Sequence, residues 1–324
     1  MNIKFAIVGL SCLVSAAATA SYELGLAHVS GTGIVRFDAI TGAYLGAIPD
    51  SQPYYAGMAL DSSNPGTVLT AFATGAIQGI KRFNYSTGEL IDTQYVSSSF
   101  QPTSMSSLGN GNVLLAGMLN GFGVVQNRTS SMSLVRTLTM PAGTTAVLDA
   151  VETAAGNIIV LTKRTGSALN THRFDLQYFT SSGVAPVNTQ FLVDNQTSDF
   201  YYGLDLLGSS LVVGGSYGTN SSVYTVSGFT SIFVTNTVGN IVRTGGVAWG
   251  HGGRLIGLGY NGNTTNLTKT DVGTAWWDSK ILSGFPAGVV SDIDVVVAPE
   301  PATWLLMAAG LCMPAMYRRR RAGK

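Results

Sequence analysis

Short apolar runs opened by glycine or serine recur along the chain at nearly constant spacing. Gly66-Thr67-Val68-Leu69-Thr70-Ala71 is matched by Gly111-Asn112-Val113-Leu114-Leu115-Ala116 and by Gly156-Asn157-Ile158-Ile159-Val160-Leu161. Ser209-Ser210-Leu211-Val212-Val213-Gly214 and Gly253-Arg254-Leu255-Ile256-Gly257-Leu258 follow, so the steps are 45, 45, 53 and 44 residues. A shorter apolar segment precedes each run: Gly57–Leu60, Ser104–Leu108, Val147–Val151, Leu204–Leu207 and Gly246–Trp249. Glycine-rich turns such as Ala73-Thr74-Gly75 and Leu119-Asn120-Gly121 come after. A second element repeats with the same period. Gly33-Ile34-Val35-Arg36-Phe37-Asp38-Ala39-Ile40-Thr41-Gly42 corresponds to Gly79-Ile80-Lys81-Arg82-Phe83-Asn84-Tyr85-Ser86-Thr87-Gly88, with a weaker copy at Gly123–Arg128. Each reads as a strand, a turn made by Asp or Asn with Thr and Gly, and another strand.

One unit is therefore four strands in about 45 residues, the size of one propeller blade. The continuous apolar run suits a second strand sandwiched between neighbouring sheets. The ends fit a closed ring. Tyr22–Val29 looks like a second strand without its first, and Val290–Val297 like a first strand without its successors. Together they would complete one blade and remove exposed sheet edges. The predicted fold is all-β, a β-propeller of six blades closed by N- and C-terminal strands. A seventh blade fits only if the insertion around Ala185–Ser198, read as a long loop, hides one. A β-solenoid or a pair of sandwiches is the structural alternative. The repeat resembles the broad β-propeller family with Arg-Phe-Asp…Thr-Gly turns, a likeness that carries no particular activity.

The two ends of the chain read as addresses rather than fold. Lys4 supplies a positive start, Phe5–Val14 an apolar stretch, and Ala18-Thr19-Ala20 a small-x-small cleavage site, so residues 1–20 are a signal peptide and the mature chain starts at Ser21. Export through the Sec translocon follows. Cys12 suggests a lipoprotein, but Gly9-Leu10-Ser11 fits a lipobox poorly. At the other end Pro299-Glu300-Pro301 precedes an apolar run, Ala302–Met316, and then Tyr317 and Arg318-Arg319-Arg320-Arg321. As a helix, residues 302–317 would span roughly 24 Å, just short of a hydrocarbon core of about 30 Å. Flanking Val295–Val297 or local thinning of the bilayer would make up the difference. The arginines should stay cytoplasmic and the body outside.

Residues 299–324 resemble the PEP-CTERM sorting signal of Gram-negative bacteria through Pro299, Glu300 and Pro301, the apolar stretch Trp304–Met316, and Arg318–Arg321. The resemblance covers under a tenth of the chain. It implies recognition by an exosortase, a membrane transpeptidase-like enzyme, in species that make extracellular polysaccharide. It also implies anchoring in the inner membrane through a C-terminal transmembrane helix, then transfer to the cell surface or matrix. The two prolines physically favour an extended, accessible Glu300. An ordinary tail anchor is the plainer alternative.

Removing both ends leaves a body, Ser21–Ala298, with 12 basic and 16 acidic residues, a net charge of −4 against +1 for the whole chain. A sparsely charged, weakly acidic surface argues against a nucleic-acid partner. Both cysteines, Cys12 and Cys312, lie in the terminal segments, so no disulfide staples the body.

Little in the body announces chemistry. His28, His172 and His251 are far apart and belong to no metal-binding motif. There is neither a Gly-x-Ser-x-Gly elbow nor a phosphate-binding loop. Asp61, Asp149, Glu152, Asp205, Asp292 and Asp294 lie near first strands, which line a propeller's channel. Converging there, carboxylates of the Asp61, Asp149 and Asp205 kind would suit Ca²⁺ and a hydrolase of lactones or phosphoesters. The plainer reading has them capping turns or facing solvent, and it is preferred because their positions drift between repeats with no acid–base partner. Tyr201, Tyr202 and Trp277 are candidates for stacking on sugar rings of an extracellular polysaccharide, or else wedge fillers between blades. The expected function is an exported binding or structural protein without a cofactor; a Ca²⁺-dependent hydrolase or a carbohydrate-binding module are the alternatives.

Overall fold

The computed structural model describes residues 23–297 except 30, 50–54, 75–76, 97–98, 198–200, 208–209, 218–219, 228–230, 239–243, 251–253, 261–264, 272–277 and 287–289. Residues 1–20, read above as a signal peptide, the Pro-Glu-Pro tail and Trp277 lie outside the described residues. Among the described residues no helix is long and apolar enough to cross a membrane.

The chain folds into antiparallel four-stranded sheets in a propeller-like arrangement. The first holds β1 (Glu23–Val29), β2 (Gly33–Asp38) and β3 (Tyr44–Ala47). The second is β4 (Tyr55–Leu60), β5 (Thr67–Thr74), β6 (Ile77–Asn84) and β7 (Leu90–Val96). The third runs β8 (Phe100–Ser107), β9 (Val113–Leu119), β10 (Phe122–Arg128) and β11 (Leu134–Thr139). Next come β12 (Thr144–Glu152), β13 (Ile158–Thr165), β14 (His172–Phe179) and β15 (Asn188–Gln196), then β16 (Tyr201–Leu207), β17 (Ser210–Tyr217), β18 (Asn220–Ser227) and β19 (Ser231–Val238). The last sheet has β20 (Thr244–Trp249), β21 (Arg254–Tyr260), β22 (Thr265–Asp271) and β23 (Asp278–Ile281). The final strand, β24 (Val290–Val297), crosses back to pair with β1, Ala27 opposite Ile293 and Glu23 opposite Val297, and so becomes the innermost strand of the first sheet. Six sheets are formed among the described residues. The segment Ala185–Ser198, expected to be a loop, instead carries β15. Its polar sequence reflects an outermost strand with much of its surface in water, not an absence of pairing.

Packing follows the same cycle. Separate apolar clusters fill the junctions: Leu26, Ile34, Met58 and Phe83 join the first and second sheets, and Leu69, Ile80, Phe100 and Leu115 the second and third. Leu114, Val125, Val147 and Phe179 join the third and fourth sheets, and Leu161, Phe174, Leu204 and Val213 the fourth and fifth. Val212, Val247 and Trp249 lie between the fifth and sixth, while Phe37, Ile256, Leu258 and Ile293 close the sixth onto the first. The innermost strands touch in the order β24, β4, β8, β12, β16, β20 and back to β24. They come close enough that a Cβ on Gly57 would lie 2.7 Å from the backbone of Ser104 and Met105, so a side chain there would push two strands apart.

The repeated Arg-Phe-Asx segment works on three scales. Phe37 and Phe83 are fully buried. Asp38 Oδ1 accepts from the amides of Ile40 (2.8 Å) and Thr41 (2.7 Å), and Asn84 Oδ1 from those of Ser86 (2.9 Å) and Thr87 (3.0 Å). Gly42 and Gly88 close these turns at φ of 73° and 79°, where side chains are strained. Arg36 donates to the Ser86 carbonyl of the next sheet and Arg82 to that of Ser130; Arg136, on the outermost β11 and outside this motif, makes the same kind of bond to Gly183 at 3.1 Å. One motif thus packs its own sheet, turns the chain and ties the sheet to its neighbour.

Phe83→Ala should lower unfolding free energy by about 3–5 kcal/mol, as for other large-to-small core changes. Val187→Ala, at an exposed position, should change it by under about 0.5 kcal/mol. Urea denaturation of both variants checks this; equal effects would contradict packing between sheets as the source of stability.

Candidate functional site

The innermost strands surround a cavity of about 250 Å³. Four aspartates reach it: Asp149 from β12, Asp205 from β16, and Asp292 and Asp294 from β24. Glu152, Met58 and Met105 also line it. All the lining residues come from the middle or the C-terminal ends of these strands, so the cavity occupies one half of the channel.

The carboxylates do a specific job there. Asp149 Oδ2 accepts from the Leu204 amide on β16 (2.6 Å), and Asp205 Oδ2 from the Trp249 amide on β20 (2.6 Å). Asp292 Oδ2 accepts from Met58 N (2.9 Å) and Asp294 Oδ2 from Leu60 N (3.0 Å), both on β4. Between β8 and β12 hydroxyls take over: Thr103 donates to the Val147 carbonyl, Ser106 to that of Ala150, and Ser104 to Asp149 Oδ1. Glu152 accepts from the Gly109 amide at 2.9 Å. Neighbouring innermost strands run parallel, as the paired steps 292 to 58 and 294 to 60 show, and these side chains bridge them. A buried amide without a partner costs about 1–3 kcal/mol, so each bridge satisfies a donor that no sheet ladder reaches.

Asp61 does not join this group. It caps the turn after β4, accepting from Ser63 N (3.0 Å) and Ser63 Oγ (2.6 Å), and pairs with Arg82 at 3.5 Å. Asp149 and Asp205 neither cap turns nor face bulk solvent; they face the cavity and the next strand. Among the described residues no three His, Cys, Asp or Glu side chains converge as a metal-binding group. Tyr201 and Tyr202 open β16, while Trp277 lies outside the described residues. His28 is buried within β1 and His172 opens β14; His251 lies outside the described residues. The bridging roles of Thr103, Ser104 and Ser106 were missed from sequence. A signal existed: Ser104 and Asp149 stand 45 residues apart, and Asp205 and Trp249 stand 44 apart, each one repeat.

Fold and channel together define a propeller-like class of protein. No family model and no curated protein matches the chain. Among solved structures it is similar to one in a nidogen/laminin complex, with 13% identity, a TM-score of 0.59, and coverage of 84% of this chain and 98% of that one. It is also similar to a candidate 6-phosphogluconolactonase from Bacteroides uniformis, with 12% identity, a TM-score of 0.57, and coverage of 86% and 100%. A third is TolB from Acinetobacter baumannii, with 11% identity, a TM-score of 0.57, and coverage of 86% and 67%. At such identities these likenesses establish the fold alone.

Burial raises all four channel carboxyls: Asp149 to about 6, Asp294 to about 6, Asp205 to about 7, and Asp292 well above the usual range. The negative charge of Asp294 adds to the rise at Asp205, and that of Asp149 to the rise at Asp292. Accepted hydrogen bonds pull the other way without winning. A carboxyl whose pKa is raised in the folded state holds its proton there after the unfolded chain has lost it, so its ionisation costs stability as pH rises above about 4. His28 acts oppositely: burial lowers it from 6.5 to about 4, so its contribution is complete above pH 6.5 and is lost as pH falls towards 4. Above pH 6.5 only the carboxyl effect is left between these groups. The midpoint of thermal unfolding should therefore fall between pH 6.5 and 8, and Asp205→Asn should flatten that slope. A midpoint that climbs over this interval in both proteins would contradict the assignment.

Proposed function

We propose that this chain is an exported, non-catalytic scaffold: a six-bladed propeller delivered to the cell surface by its terminal signals, where it acts as a binding or structural protein. The observation that carries this reading is the use of the channel carboxylates. Each holds a backbone amide of the neighbouring strand, a structural role that accounts for its place in the channel without a substrate. The order of small-x-small site, repeat body, Pro299-Glu300-Pro301, apolar run and Arg318–Arg321 supports export and handling by an exosortase-type enzyme. Anchoring in the inner membrane precedes release or transfer to a polysaccharide-bearing surface in a Gram-negative cell.

A hydrolase reading has one observation in its favour. A cavity holding four carboxyls with raised pKa values offers both proton donors and acceptors near neutrality. Two solved structures of similar fold carry a 6-phosphogluconolactonase designation. In that reading Asp205 would be the acid–base residue, and Ca²⁺ would have to be held by side chains now engaged across strands.

Intact-mass measurement of the protein from its native host should show a chain starting at Ser21 and ending before Arg318. A mature chain that keeps Arg318–Arg321 in a host with an exosortase would overturn the sorting proposal. Purified protein should show no turnover of lactones or phosphoesters with or without Ca²⁺; turnover abolished by Asp205→Asn would transfer the assignment to the hydrolase reading.

A further inference from the structure

The last strand decides which way the ring faces. β24 is an innermost strand, and it runs parallel to β4 and, through the same bridging pattern, to the other innermost strands. In an antiparallel sheet of four strands, the turn from first to second strand and the turn from third to fourth lie at the same end. The chain therefore leaves Val297 at the face that carries these turns, close to the mouth of the channel and at the junction of the first and second sheets.

That same face has an apolar rim. Tyr44 and Leu45 open β3, Leu90 and Ile91 open β7, and Leu134 and Val135 open β11. All six are exposed, between 36% and 52%. They occupy one position in three successive sheets, directly after each third-to-fourth turn. Tyr44 also meets Phe285 edge-on, with ring centroids 6.0 Å apart; the recurrence sets one such apolar pair on each of three successive sheets, beginning with the sheet that holds β24.

Only residues 298–301 separate β24 from the apolar run that starts at Ala302. Five Cα–Cα steps extend at most about 18 Å, and a headgroup layer takes up roughly 6 Å of that on each side of the bilayer. We propose that the turn-bearing face is a lipid-contact surface, with Tyr44, Leu45, Leu90, Ile91, Leu134 and Val135 resting in the headgroup region while the tail is inserted. This rests on the reading that residues 302–317 enter the membrane. The tether is too short for the ring to turn its opposite face to the bilayer. Apolar side chains at the level of the headgroups gain by leaving water. The half of the channel that holds Asp149, Asp205 and Asp294 then points at the membrane, and the opposite face is the one offered to the exterior. Cleavage of the tail would uncover the carboxylate cavity, so tethered and released forms present different surfaces.

The absence of cysteine between residues 13 and 311 makes the test direct. Full-length protein carrying Cys12→Ala and Cys312→Ala would also carry one of Leu90→Cys or Leu134→Cys on the rim, or Ile77→Cys or Phe122→Cys. Ile77 and Phe122 open β6 and β10 at the other end of the sheets and are exposed too. After fluorophore labelling, each variant is reconstituted into vesicles of phosphatidylethanolamine and phosphatidylglycerol that contain a headgroup-attached quencher. Flotation scores insertion separately from quenching. The expected result is flotation of all four, with quenching several-fold stronger at 90 and 134 than at 77 and 122. Flotation with equal quenching at all sites overturns the lipid-contact face while leaving the tail reading intact. Failure to float overturns both. Two positions per face guard against a single variant that misfolds.

Discussion

The ring depends on joining innermost strands that cannot join themselves. Within each sheet, backbone amides and carbonyls satisfy one another. At the channel, parallel strands of different sheets face each other without a ladder, and their amides point towards the neighbouring sheet. Side chains of one strand take those amides: Asp149 holds Leu204, Asp205 holds Trp249, and Asp292 and Asp294 hold Met58 and Leu60. The β24–β4 bridges bind the C-terminal strand to the second sheet as β24–β1 pairing binds it to the first. Together they tie the last strand to the first two sheets, with Met58 and Asp292 234 residues apart in sequence.

That choice of acceptor has a cost and a consequence. A carboxylate offers two oxygens and accepts strongly, so it fits where a backbone donor must be met. Placing four of them around one small cavity costs ionisation chiefly through burial, and the charges of Asp149 and Asp294 add to it at their neighbours. The channel is therefore a strong structural joint and a place where acids hold protons near neutral pH. Joint and proton reservoir are one feature, which is why the same residues invite both a structural and a catalytic reading.

Much of the fold was legible because its signals are local. The Asp38 and Asn84 turns are made by side chains bonding two or three residues ahead, and their 46-residue spacing exposed the repeat. Apolar β5, β9 and β13 announced themselves because both faces of a second strand are buried. The outermost β15 did not: exposed on much of its surface, it needs no apolar pattern, and Asn188–Gln196 passed for a loop. The carboxylate bridges were hidden for another reason. Their donors are backbone amides, which leave no mark on sequence, and they lie a repeat away or at the far end of the chain. Asp61 and Asp149 looked alike as acids after or within a first strand, yet one caps its own turn and the other crosses to β16.

Residue-resolved hydrogen exchange on the folded protein tests the central claim most directly. The amides of Met58, Leu60, Leu204 and Trp249 should exchange only by global opening, as slowly as the amides within β5 and β13, and an Asp149→Ala change should accelerate Leu204 ahead of the rest. Exchange of those four amides at the rate of surface turns in the unaltered protein would contradict the account.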